Sequence, residues 1–265
     1  MRIGVLQFAP EFGEVEKNLD RVAALLETES ADVWVLPELF QTGYLFTARE
    51  ELPRLAESLD GPTVQRLHRW AAEHHCVIAA GFAEASPEGC FNSAVLVDEA
   101  RILSHYRKVH LFDREKLWFQ PGNLGFPVVE HAGVRLGMMV CFDWRFPEAT
   151  RSLAFAGADV VLHPSNLVLP WCPDAMITRA LENNVYIATA DRSGDDRRDS
   201  FHLHFIGRSQ IVDPRGRRMG QLGEAEEGVF VADIDPMRAR DKQVTEQNHL
   251  FNDLRPEQYV GGPEV

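Results

Sequence analysis

The run Val134-Arg135-Leu136-Gly137-Met138-Met139-Val140-Cys141-Phe142-Asp143-Trp144-Arg145-Phe146-Pro147-Glu148 changes character at one point. Residues 134–141 are mostly apolar, as a buried strand requires. Pro147 and Glu148 then suit a helix start, because proline fits the first helical turn and an acid complements the dipole. A cysteine thus stands between a strand end and a helix start. In layered α/β folds ligands bind at the carboxyl ends of strands. Backbone N–H groups and the dipole at such a place are expected to lower a thiol's pKa.

Eight more short apolar runs, each bounded by Gly, Pro, Asn or Asp, read as strands at residues 3–8, 33–36, 77–80, 94–97, 160–163, 185–189, 206–212 and 229–234. Helical periodicity separates several of them. Leu19, Val22, Ala23 and Leu26 lie on one helical face, as do Val64, Leu67 and Ala71, with Thr63 placed to cap the second helix. Asp98-Glu99-Ala100 reads as a hairpin turn. Interleaved helices and strands with a hairpin give an α/β or α+β fold with mixed sheets. The polar stretch 192–200 reads as a solvated loop, since its aspartates lack the alternate spacing of a calcium loop. Residues 1–265 form one expected domain, with 246–265 an irregular tail open to a partner subunit.

The chain has 265 residues, 45% hydrophobic and 25% charged, with a formal net charge of −13. That composition excludes disorder as the main state. The acidic balance argues against nucleic acid, whose phosphates are met by Lys and Arg, and against a polybasic membrane patch. No apolar run reaches the roughly 18 residues of a membrane span. Residues 1–8 turn polar too soon for a signal-peptide core, so a cytoplasmic location is expected. The four cysteines, Cys76, Cys90, Cys141 and Cys172, form no CxxC pair and are expected to be reduced.

Two other residues break the local pattern. Glu38 follows Val33-Trp34-Val35-Leu36-Pro37, an ionisable group at the end of a buried strand, and Lys108 lies in Tyr106-Arg107-Lys108-Val109-His110-Leu111-Phe112 just past another. Singly, Glu38 can cap a turn, Lys108 can be surface charge and Cys141 can be packing. Together they are the parts of acyl transfer through a thioester: a carboxylate to take the thiol proton, an ammonium to stabilise the oxyanion and a thiolate to attack.

At these residues the chain resembles the nitrilase superfamily of carbon–nitrogen hydrolases. The likeness runs through Leu36-Pro37-Glu38-Leu39-Phe40, the Lys108 and Cys141 blocks and Arg179-Ala180-Leu181-Glu182-Asn183, with separations of 70 and 33 residues along the Glu38, Lys108, Cys141 series. The resemblance implies a four-layer α-β-β-α sandwich, at least dimeric through helices near the nucleophile, with no metal or organic cofactor. It implies a Glu38–Lys108–Cys141 triad, with Glu115 as a second glutamate and the backbone N–H of Phe142 as an oxyanion donor. The implied partner is a small primary amide. Members acting on nitriles typically read Cys-Trp-Glu, whereas this chain has Cys141-Phe142-Asp143, followed by Arg145-Phe146-Pro147-Glu148 in the manner of amidases. A nitrile or an N-carbamoyl compound is the alternative substrate.

Asn166, in His163-Pro164-Ser165-Asn166-Leu167-Val168, either contacts substrate or bonds its own backbone in a turn. Tyr44, Trp118, Trp144 and Trp171 are candidates for an acyl pocket or for core. A Cys–His hydrolase using His110 or His163 is a rival reading, and a non-catalytic binding scaffold is another. His202 and His204 share a strand face without a third metal ligand and read as surface; His74-His75 ends a helix, where positive charge is favoured.

Overall fold

The computed structural model describes residues 1–259. Its strands are β1 (Arg2–Gln7), β2 (Val33–Val35), β3 (Val77–Ser86), β4 (Gly89–Val97), β5 (Ile102–Arg107), β6 (Val128–His131), β7 (Val134–Met138), β8 (Val160–Ser165), β9 (Tyr186–Asp191), β10 (Ser193–Arg198), β11 (Phe201–Ile206), β12 (Gln210–Val212), β13 (Arg218–Gln221) and β14 (Gly228–Asp233). The helices are α1 (Val15–Leu26), α2 (Glu51–Leu55), α3 (Pro62–His74), α4 (Pro147–Phe155), α5 (Cys172–Asn183) and α6 (Met237–Arg240). Two six-stranded sheets result, in the orders β14-β1-β2-β3-β4-β5 and β13-β12-β9-β8-β7-β6. In each, three central strands run parallel and the flanking strands antiparallel.

Side-chain alternation builds the layers. In the first sheet Val33, Val35, Val77, Ala79, Ala94 and Leu96 face the second sheet and share a core with Leu136, Met138, Val160 and Leu162. Their neighbours Trp34, Leu36, Ile78, Ala80, Val95 and Val97 face the other way, onto Leu19 and Val22 of α1 and Val64 and Leu67 of α3. Leu153 of α4 and Met176 and Ala180 of α5 cover the far side of the second sheet. The fold is the expected α-β-β-α sandwich, and each fully buried Val, Leu or Ile contributes about 1.5–3 kcal/mol.

Three local expectations need correction. Helix α3 is capped at Gly61, with Pro62 inside its first turn; Thr63 is helical, and Glu57 serves as the cap by accepting its N–H at 2.7 Å and its hydroxyl at 2.8 Å. The expected loop at 192–200 is mostly strand β10, paired with β11. Arg192, just before it, is buried against Asp196 at 2.9 Å and lies over the Phe205 ring, so an internal ion pair and a cation–π stack hold this polar ribbon. The expected strand at 206–212 is broken after Ile206: Gly207 and Arg208 have positive φ, and β12 begins at Gln210.

The turn between β4 and β5 forms as read, with Asp98 Oδ1 accepting the N–H groups of Ala100 and Arg101 at 2.8 Å each. In the tail, Gln243 bridges to His249 and Pro256–Gln258 makes a single 3₁₀ turn. Residues 260–265 of that tail lie outside the described residues. Among the described residues no helix is long and apolar enough to cross a membrane.

Candidate active site

Glu38 sits three residues past β2, where Leu36 N–H still pairs with Ala79 and Phe40 N–H with Gly81. The fit against β3 is close: a Cβ on Gly81 would lie 2.6 Å from Glu38 Cα. The following residue, Leu39, takes a left-handed φ of 47°, which turns the chain away and leaves the Glu38 side chain fully buried.

Lys108 follows β5. Its N–H bonds the Asn92 carbonyl at 2.8 Å, and the side-chain amide of the same Asn92 donates to Glu38 Oε1 at 2.6 Å. One β4 residue therefore positions both charges, and nothing in the sequence singles it out except a polar side chain inside an apolar strand. Lys108 is not surface charge. It is fully buried, and Arg107 beside it pairs with Glu84 at 2.7 Å instead. Lys108 Nζ donates to Glu38 Oε1 and to Glu115 Oε1, both at 2.7 Å. Glu115 lies in a 3₁₀ turn (Asp113–Leu117) and also accepts the Tyr44 hydroxyl at 2.7 Å and the Phe112 N–H at 3.2 Å.

Cys141 opens a second 3₁₀ turn (Cys141–Arg145), three residues past β7, with a left-handed φ of 43°. For a residue with a Cβ that conformation stores strain, which surrounding contacts must hold. Asp143 supplies most of them. Fully buried, it accepts the Tyr106 hydroxyl at 2.6 Å, Val140 N–H at 2.8 Å, His110 N–H at 3.1 Å and His110 Nδ1 at 2.8 Å. His163 Nε2 lies 3.0 Å from the Cys141 carbonyl, and the Cys141 thiol donates to the Asn166 carbonyl at 3.6 Å.

The charges are set by burial. Desolvation raises Glu38 to about 7, opposed by Lys108 and reinforced by Glu115. Burial alone would depress Lys108, but Glu115 and Glu38 outweigh it and hold the ammonium well above its ordinary value. The Cys141 thiol is pushed well above its ordinary value, first by burial and then by Glu38, with Lys108 opposing. The expected depression by a helix dipole does not occur. The tight turn separates Cys141 from α4, which begins only at Pro147, and two carboxylates stand nearby. The resting pair is a protonated thiol beside a carboxyl poised near neutrality, the arrangement that general-base activation requires.

A cleft over Cys141 is lined by Phe112, Phe142, Trp144, Asn166, Leu167 and Leu169. The Asn166 amide nitrogen and oxygen are buried without partners, so this residue does not bond its own backbone as a turn residue would. An adjoining cavity shares the Phe112 wall and takes in Tyr44, Glu115 and Trp118. Trp171 is 56% exposed and lines neither. The histidine rivals are engaged elsewhere. His163 is fully buried, burial lowers it to about 4, and its ring nitrogens meet Thr189 and the Cys141 carbonyl. His110 bonds Asp143 and stacks on Phe146 at 3.7 Å. His202 and His204 both reach Asp195 in water, and no described group of three or more His, Cys, Asp or Glu residues is arranged to hold a metal.

The sequence model of the carbon-nitrogen hydrolase family matches residues 2–243. The chain belongs to that family. A protein named nitrilase from Pyrococcus abyssi is 43% identical over 98% of this chain and 99% of its own length. An (R)-stereoselective amidase from Pseudomonas sp. is 34% identical over 90% of this chain and 87% of its own. Among solved structures, a mutant of the amidase from Nesterenkonia sp. AN1 superposes with a TM-score of 0.76 at 29% identity, covering 92% of this chain and 96% of that one. That structure shows Michael addition of acrylamide at the active-site cysteine. In this carbon-nitrogen hydrolase Cys141 is the cysteine whose thiol feels the charges of Glu38, Lys108 and Glu115.

Proposed function

We propose that this carbon-nitrogen hydrolase is an amidase, converting a small primary amide and water to a carboxylic acid and ammonia through a thioester on Cys141. The observation that carries the reading is a buried ammonium, Lys108, held between Glu38 and Glu115 beside a protonated thiol. Glu38, with an affinity for protons near neutrality, accepts the Cys141 proton as sulfur attacks the amide carbonyl. Lys108 and the backbone N–H of Phe142 stabilise the oxyanion. Collapse of the tetrahedral intermediate breaks the C–N bond, and Glu38 returns the proton to departing ammonia. Glu38 then takes a proton from water, the hydroxide attacks the thioester, and the thiol is regenerated as the acid leaves. Glu115 fixes the Lys108 ammonium and, by like charge, keeps Glu38 basic. Asn166, Trp144 and Tyr44 contact the substrate.

The nitrilase relative from Pyrococcus abyssi favours a second reading in which a nitrile carbon is attacked by the same sulfur. Ammonia release from a panel of primary amides, nitriles and N-carbamoyl compounds, with Cys141→Ala as control, decides between them. Cys141-dependent turnover of amides but not nitriles supports the amidase; turnover of nitriles alone refutes it. We also propose a homodimer through α4 and α5, where Phe155 of α4, Leu181 of α5 and Trp171 just before α5 are more than half exposed. A monomeric mass by light scattering at assay concentration would contradict it.

A further inference from the structure

The cavity beside the Cys141 cleft has a volume of about 280 Å³ and is walled largely by aromatic side chains, among them Tyr44, Trp118 and Phe201, with Arg114 set into the wall. The Arg114 guanidinium carbon lies 4.1 Å above the Phe201 ring and 5.7 Å from that of Trp118. Stacked this way, the guanidinium plane is fixed by the rings while the N–H groups on its edge remain free to donate. Among the described residues Arg114 makes no ion pair and no hydrogen bond, and its Nε is buried without a partner.

Two carboxylates are near. Glu115 spends its oxygens on Lys108, Tyr44 and the Phe112 N–H, and Asp113, also on the cavity wall, forms no ion pair with Arg114. Arg114 is half-buried: its Nε is withdrawn from water without an acceptor, while its Nη groups stay accessible and free to meet an acceptor that a ligand brings into the cavity. The planar fork matches a carboxylate, which it can hold through two parallel N–H···O bonds. Arg114 is the residue before Glu115, and Phe112 walls both this cavity and the cleft over Cys141, so the two spaces adjoin.

We propose that Arg114 binds a carboxylate on the acyl part of the substrate, which makes the substrate class amides whose acyl chain carries an acid group, such as monoamides of dicarboxylic acids. This rests on the amidase reading above. The amide carbon lies at Cys141, the chain passes Phe112, and its acid end meets the stacked guanidinium.

The test compares glutaramate with pentanamide, which has the same chain length but no acid group, on the wild type, Arg114→Gln and Arg114→Lys. The wild type is expected to favour glutaramate in kcat/KM by at least about tenfold, as a charge-assisted pair warrants. Arg114→Gln is expected to collapse that preference, mainly through KM, and Arg114→Lys to restore it in part. N-carbamoyl-β-alanine carries the same acid on a ureido group, and Arg114-dependent turnover of it in place of glutaramate identifies the other source of the carboxylate.

Titrating glutaramate into the Cys141→Ala protein reads the contact without turnover, and the affinity is expected to fall at least about tenfold when Arg114→Gln is added. If no amide is cleaved yet that binding depends on Arg114, the amidase reading falls and the carboxylate site stands. If pentanamide is cleaved and glutaramate gains nothing from Arg114 in either measurement, the proposal is overturned.

Discussion

The Tyr106 hydroxyl donates to Asp143 Oδ2 at 2.6 Å across the interface between the two sheets. Tyr106 is two residues before Lys108 on β5, and Asp143 is two residues after Cys141 in the turn past β7. One hydrogen bond therefore registers the ammonium of one sheet against the sulfur of the other. Replacing Asp143 with Asn puts N–H groups opposite donors. A stability loss of about 1–3 kcal/mol is expected in denaturant titration, with a larger fall in kcat than in stability-matched controls. Tyr106→Phe removes one donor and leaves Val140 N–H on the same oxygen, so a milder loss of about 1 kcal/mol is expected.

Glu38 is raised to about 7 by burial, so it is a competent base only above that pH. The rising limb of kcat/KM is expected to have its midpoint near 7, and Glu38→Gln is expected to lose about 10²–10⁴-fold in kcat/KM. Stability gives a second reading with a definite sign. Because the folded-state value lies above the ordinary 4.5, the stability this group contributes is fully present below 4.5 and is lost as pH rises through about 7. Thermal unfolding of Glu38→Gln against wild type is expected to show the variant gaining relative stability between pH 4.5 and 7. A flat difference across that window would contradict the assignment.

Lys108→Ala removes the proposed oxyanion donor and leaves Glu38 and Glu115 facing each other in a buried site. Turnover is expected to fall by at least about two orders of magnitude, on the scale of 2.7–4 kcal/mol for such a donor. Without the ammonium the Glu38 limb is expected to move to higher pH.

His163 braces the Cys141 carbonyl and is held neutral. The double variant His110→Gln, His163→Gln is expected to retain measurable activity with its rising limb still near 7. Complete loss with normal folding by circular dichroism would restore a Cys–His mechanism.

Gly81→Ala tests the support behind Glu38, because the added carbon would meet Glu38 Cα at 2.6 Å. Backbone must move, at a cost of about 1–3 kcal/mol. Activity is expected to fall further than thermal stability does.

The three groups proposed to react were legible because each is a charged or nucleophilic residue just past a strand, at a place where core packing gives no reason for it. Their partners were not. Asn92 and Asp143 are ordinary polar residues in sequence, and their roles come from four strands and two turns that only the folded chain brings together. Arg192–Asp196 looked like solvated charge because its pairing runs inward, against the pattern of its own composition. The thiol's state was misread for a related reason: strand–cysteine–helix order is visible in sequence, whereas the intervening tight turn and the burial that governs the proton are not.

The account stands on Cys141 sulfur forming a bond to the acyl carbon. Acid quenching within the first turnover of a primary amide, followed by mass spectrometry of the peptide containing Cys141, tests it most directly. That peptide is expected to gain the mass of the substrate less ammonia, and the gain is expected to vanish in Cys141→Ala along with ammonia release. Wild-type rates of ammonia release from Cys141→Ala, or an adduct on another residue, would contradict it.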